Sequence, residues 1–162
     1  EIAKVVGIYD TLSKYEAEPG VVIVYGSMYG HTEQMAEAVA EGAASITKNV
    51  KVYDVSRTNA SYILADIFRY KGFICGSPTY CNELYPEINS LLAKIKIRGI
   101  KNREFGCFGS FTWAGATLKN FKAFAEEMKW DCVATPEIKQ NMTEEQYKEL
   151  YNLGRVIAEK TI

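Results

Sequence analysis

Apolar positions along this chain switch repeatedly between two spacings. Residues 21–25, Val-Val-Ile-Val-Tyr, form an unbroken apolar run that reads as a strand buried on both faces. Directly behind it, Met35, Ala36, Val39, Ala40, Ala43 and Ile46 recur at helical spacing and predict a helix over 32–47. At 50–55, Val50 and Val52 alternate with Lys51 and Tyr53, the pattern of a second strand. The alternation continues: a short helix over 60–70, a strand at 72–76, and a helix over 86–95 with Pro86 suited to its first turn. A strand at 104–109, a helix over 116–128 and a strand within 132–138 follow. The last helix opens on Thr143-Glu144-Glu145-Gln146, a capping box, and runs to about residue 159.

Strands that alternate with helices imply a parallel sheet covered on both faces, an α/β three-layer sandwich. We expect a five-stranded sheet in the order 2-1-3-4-5, by analogy with doubly wound sheets. The first 20 residues differ from the rest. Ile2, Val5, Val6, Ile8 and Tyr9 could share one face of a short helix, and Glu16-Ala17-Glu18-Pro19-Gly20 reads as a linker. The expected division is therefore 1–20 as tail and linker and 21–162 as one domain, an ordinary size.

Composition narrows the function classes. The net charge is -1, from 19 basic and 20 acidic side chains, so there is no basic footprint for nucleic acid. No apolar run approaches a membrane span. Cys75, Cys81, Cys107 and Cys132 form no C-x-x-C pair, and a single histidine makes a zinc site improbable. Cys75, Cys107 and Cys132 lie in apolar runs and read as small buried hydrophobes, whereas Cys81 falls in a loop. Free thiols without a disulfide framework lead us to expect a cytoplasmic protein.

In a parallel sheet the loops after the first, third and fourth strands gather at one edge, where ligands bind. Here each opens on a small hydroxyl residue and carries aromatics. They are Ser27-Met28-Tyr29-Gly30-His31-Thr32, then Ser77-Pro78-Thr79-Tyr80-Cys81-Asn82 leading to Tyr85-Pro86, then Ser110-Phe111-Thr112-Trp113-Ala114-Gly115. The first joins a buried strand to a helix N-terminus, a ready anion site. It lacks the lysine of a nucleoside triphosphate loop and the glycine pattern of a dinucleotide loop. Ser27, Thr32 and the N–H groups of 29–32 suit a single phosphate held by hydrogen bonds. The other two loops suit a flat conjugated ring, with Tyr80 and Trp113 placed for stacking and Gly115 for close backbone approach. Tyr29 divides evenly between ligand and loop cover. His31 reads as a backbone donor rather than an acid or base. Tyr85 reads as packing under the helix that follows. Glu83 and Glu87 are the only acids read near these loops.

These residues resemble the flavodoxin-like domain of flavodiiron proteins, also called A-type flavoproteins. The markers are Ser27-Met28-Tyr29-Gly30-His31-Thr32, Gly76-Ser77-Pro78-Thr79-Tyr80, and Gly109-Ser110 followed by Trp113-Ala114-Gly115. His31 stands where that family often has Asn, and Phe111-Thr112 replaces a more usual Tyr-Gly. The resemblance implies a non-covalent FMN-binding electron-transfer domain, with the eighteen loop residues named above around the cofactor. It implies an upstream β-lactamase-like diiron domain, of which residues 1–20 would be the tail, and reduction of dioxygen or nitric oxide at that iron pair. It also implies rubredoxin or a flavin reductase as donor, and a homodimer in which one subunit's FMN faces the other's irons. A stand-alone flavodoxin, or an NAD(P)H-dependent quinone or flavin reductase, is the alternative, and a cofactor-free signalling module is a third reading.

Overall fold

The computed structural model describes residues 17–26, 31–80, 83–100, 103–111, 117–134, 138–139 and 142–161. In chain order the elements are β1 (Glu18–Tyr25), α1 (His31–Ala44), β2 (Val50–Asp54), α2 (Ala60–Arg69), β3 (Tyr70–Tyr80), β4 (Glu83–Leu84) and α3 (Pro86–Arg98). β5 (Glu104–Phe111), α4 (Thr117–Met128), β6 (Cys132–Ala134), β7 (Ile138–Lys139) and α5 (Glu144–Lys160) complete the chain. The principal sheet runs β2-β1-β3-β5-β6 with every pair parallel, which is the expected 2-1-3-4-5. β4 adds an antiparallel hairpin to the end of β3, and β7 pairs with the end of β5. No helix among the described residues is long and apolar enough to cross a membrane.

Successive side chains on a strand face opposite ways, so each strand feeds two cores. Val22, Val24, Phe73, Cys75, Phe105 and Cys107 join one core with Ile63 and Ile67 of α2, Ile88 and Leu91 of α3, and Phe121 and Phe124 of α4. Val21, Ile23, Ile74 and Phe108 join the other with Met35 and Val39 of α1 and Leu150, Leu153 and Ile157 of α5. The sheet is thus sandwiched between three helices and two. In the first core Phe105 sits among rings, 5.4 Å from Phe73, 5.6 Å from Phe124 and 5.9 Å from Trp130 between centroids. Such tilted and edge-on pairs add roughly 0.5–1.5 kcal/mol each beyond their buried area.

α1 and α5 approach unusually closely because each presents a glycine. A Cβ on Gly42 would lie 1.8 Å from the Tyr151 carbonyl oxygen, and one on Gly154 would lie 2.0 Å from the Val39 carbonyl oxygen. Helix termini follow local chemistry. Thr143 and Gln146 cap α5 reciprocally, as the sequence predicts. Gly99 ends α3 at φ 62°, a left-handed conformation natural to glycine. α4 ends with Lys129 at φ 61°, its following N–H, that of Trp130, bonded to the Ala125 carbonyl at 2.9 Å.

Three boundaries differ from the sequence reading. β1 starts at Glu18, inside the stretch read as linker, because Glu18 pairs with Tyr70 and its carboxylate meets Arg69 at 3.2 Å. β3 runs on to Tyr80 because Thr79 and Tyr80 pair with Leu84 and Glu83. The strand expected within 132–138 is two pieces, β6 against Phe105 to Cys107 and β7 against Ser110 and Phe111.

Candidate functional site

The sheet register brings three strand ends level. Tyr25 pairs with Gly76, Gly76 with Phe108, Ser77 with Gly109 and Pro78 with Ser110. One step further, the Gly26 N–H donates to the Gly76 carbonyl at 3.1 Å. Gly26, the Gly76–Ser77 step and Gly109 therefore stand level across three neighbouring strands, and β3 and β5 continue beyond that level to Tyr80 and Phe111. A helix that returns after a parallel strand must begin at that same edge. α1 does so, with His31 as its first residue. Its next residue, Thr32, is 1% exposed. The first turn carries Glu33 and no Lys or Arg, and the backbone dipole is positive at this end.

Ser77 is fully buried, and its hydroxyl oxygen accepts the Tyr85 N–H at 2.8 Å. Tyr85 is the N-cap of α3, just ahead of Pro86. Its ring lies over the end of β1: a Cβ on Gly26 would sit 2.6 Å from the Tyr85 ring. Its hydroxyl reaches the Ser56 hydroxyl at 3.4 Å. Tyr85 thus packs where the sequence placed it, at the start of the helix, and ties the ends of β1, β2 and β3 together. Burial, and then the charges of Glu33 and Asp54, raise the Tyr25 phenol above its usual range. Glu33 and Asp54 thus stand near this edge in addition to the Glu83 and Glu87 read on the loops, with Arg57 opposing them. Asp54 is held by the Ser56 N–H at 2.9 Å and by exposed Arg57 at 3.6 Å.

The sequence-predicted residues fall as follows. His31 and Thr32 open α1; Ser77, Pro78, Thr79 and Tyr80 end β3; Ser110 and Phe111 end β5, beside Ile138 and Lys139 of β7. Ser27, Met28, Tyr29, Gly30, Cys81, Asn82, Thr112, Trp113, Ala114 and Gly115 lie outside the described residues. What the structure brings together among the described residues is the rim: the N-terminus of α1, with the buried Thr32, beside the ends of β3 and β5. That donor set fits a phosphate at α1 and a flat ring across the ends of β3 and β5. Sequence reading missed Gly26, whose missing side chain admits the Tyr85 ring, and β7, which flanks the third loop. A lone Gly at a strand end was the available signal for the first; two residues after Pro136 gave none for the second.

Known proteins share this fold. The family model for flavodoxin matches residues 23–153. The rubredoxin-oxygen oxidoreductase of Megalodesulfovibrio gigas is 34% identical over 139 residues, 85% of this chain and 35% of that protein. The anaerobic nitric oxide reductase flavorubredoxin of Vibrio vulnificus is 35% identical over 108 residues, 65% of this chain and 22% of that protein. The solved rubredoxin oxygen:oxidoreductase of Desulfovibrio gigas superposes with a TM-score of 0.89 at 29% identity, over 94% of this chain and 38% of its own. The chain thus spans between about a fifth and two-fifths of the length of these relatives. It belongs to the flavodoxin family, and its relatives there include flavorubredoxin and rubredoxin-oxygen oxidoreductase.

Proposed function

We propose that this chain binds FMN non-covalently and transfers electrons. The observation that carries this is the level alignment of Gly26, Ser77 and Gly109 beside the N-terminus of α1. Ser27, Thr32 and the N–H groups of 29–32 hold the phosphate, which stays bound and is never transferred; a lysine is therefore not needed. The segments from Ser77 to Asn82 and from Ser110 to Gly115 bracket the ring, with Tyr80 and Trp113 excluding water from its faces. FMN, when bound, supplies one- and two-electron redox chemistry, while the chain binds, orients and tunes it. Ser77 works one step back: by accepting the Tyr85 N–H it fixes the hairpin of β3 and β4 against α3.

The relatives support a wider proposal for the whole protein. In it, the residues ahead of β1 join this domain to an upstream diiron domain, electrons arrive from rubredoxin or a flavin reductase, and dioxygen or nitric oxide is reduced at irons of a second subunit. The likeness to a rubredoxin-oxygen oxidoreductase and an anaerobic nitric oxide reductase flavorubredoxin favours this over a stand-alone flavodoxin. The absorption spectrum of the purified chain tests the cofactor: flavin bands that are released on denaturation are expected, and their absence after incubation with FMN contradicts the reading. Mixing the flavin-loaded chain with NADPH should leave the flavin bands intact; bleaching would favour the reductase alternative.

A further inference from the structure

Three cysteines line up across one face of the sheet. Cys75 on β3 and Cys107 on β5 are register partners, and Cys132 on β6 follows in the same core. All three are free thiols. Only one pair is in sulfur contact: the Cys107 and Cys132 sulfurs stand 3.4 Å apart. A disulfide needs ~2.05 Å, so the two sulfurs must draw closer across a diagonal of the sheet, since the register partner of Cys132 is Phe105, two residues along β5 from Cys107. The two thiols differ in access. Cys107 is fully buried beneath α4, whereas Cys132 is half-buried on the outermost strand of the order β2-β1-β3-β5-β6.

We propose that Cys107 and Cys132 are a redox-active dithiol that closes to an intramolecular disulfide when the protein meets a hydroperoxide. This goes beyond the FMN reading and does not depend on it. The reaction starts at Cys132. Its hydrogen bond with the Cys107 thiol and the nearby Lys122 ammonium outweigh partial burial and hold it below the usual thiol range. That same hydrogen bond, together with burial, pushes Cys107 up, so it stays protonated and waits as the resolving thiol. The Cys132 thiolate attacks the terminal peroxide oxygen, forming a sulfenic acid and releasing an alcohol or, from hydrogen peroxide, water. Cys107 sulfur then attacks the Cys132 sulfur; the S–O bond breaks and its oxygen leaves as water with the Cys107 proton. In sum, two thiols lose two hydrogens and two electrons, and the peroxide O–O bond takes them up. The product staples β6 to β5, the strand whose end carries Ser110 and Phe111.

The tryptic map suits a direct test. Cleavage gives a peptide covering 104–119 with Cys107 as its one cysteine and a peptide covering 130–139 with Cys132 as its one cysteine. The folded chain is treated with hydrogen peroxide, its remaining thiols are alkylated in denaturant, and the digest is read by mass spectrometry. The expected product is a cross-link between those two peptides, lighter by two hydrogens than their sum and returned to thiols by a reductant. It should form several-fold faster in the folded chain than in the urea-unfolded chain. Cys75→Ala should leave it, and Cys132→Ser should abolish it while leaving Cys107 alkylatable. A Cys75–Cys107 cross-link instead, an over-oxidised Cys132 with no cross-link, or equal rates in folded and unfolded chains would each overturn the proposal.

Discussion

The Tyr85 ring rests on Gly26, so close that a Cβ on the glycine would fall 2.6 Å from the ring. This contact sets the distance between the end of β1 and the start of α3, and with it one side of the rim. Gly26→Ala would push the ring away or bend the strand end. We expect it to destabilise the fold by ~1–3 kcal/mol, the cost of overpacking a filled site. FMN affinity should fall with it, whereas Tyr85→Phe, which keeps the ring, should retain both. Urea unfolding and FMN fluorescence titration of the two variants check this.

The paired glycines of α1 and α5 make a second prediction. Gly154→Ala places a methyl group 2.0 Å from the Val39 carbonyl oxygen, where only backbone can give way. The intrinsic helix preference of alanine over glycine, ~1 kcal/mol, favours the variant. Steric contact with backbone opposes it and should win, with a lower urea midpoint. A raised midpoint would show that the two helices can separate freely.

Lys129 makes the opposite case. Its φ of 61° strains a side chain by ~1–2 kcal/mol, and the residue is exposed. Lys129→Gly should therefore stabilise the fold by up to ~1 kcal/mol, read as an increased urea midpoint at an unchanged slope.

Tyr53 of β2 donates to the Asp66 carboxylate of α2. Burial first, and then this bond, push its phenol up to about 12 from an ordinary value of 10.0. A group whose folded value is raised stabilises the fold fully below its unfolded value, and that contribution fades as pH climbs through the folded value. The window is thus from about 10 to about 12. In this window the stability of the natural chain should fall more steeply than that of Tyr53→Phe. Parallel denaturation curves at both ends of the window would show that the bond contributes nothing.

Much of this fold was legible because burial follows spacing. The helix read at 60–70 is Ala60–Arg69, and the Thr143–Gln146 box caps α5 as written. The alternation of elements yielded the strand order, and the ends of β1, β3 and β5 ahead of the three hydroxyl-bearing segments are in register. What escaped was set by partners distant in sequence. Pro19 and Gly20 look like linker until Tyr70 pairs with Glu18. Ser77-Pro78-Thr79 looks like loop until Leu84 returns antiparallel to Thr79. The bond from the Tyr85 N–H to the Ser77 hydroxyl oxygen is one that no local pattern announces. Gly42 and Gly154 sit inside helical patterns, and only the packed pair explains them.

The phosphate end of the rim offers the most direct test, because Thr32 is buried in the first turn of α1 and FMN differs from riboflavin only by its phosphate. The measurement is a fluorescence titration of the natural chain and of Thr32→Ala with both flavins, with melting curves to confirm that the variant is folded. A hydrogen bond to a charged group contributes ~1.5–3 kcal/mol, so Thr32→Ala should weaken FMN about tenfold or more. Riboflavin should bind the natural chain less tightly than FMN and be unaffected by the substitution. Equal binding of the two flavins by the natural chain, or no binding of either, would contradict the account.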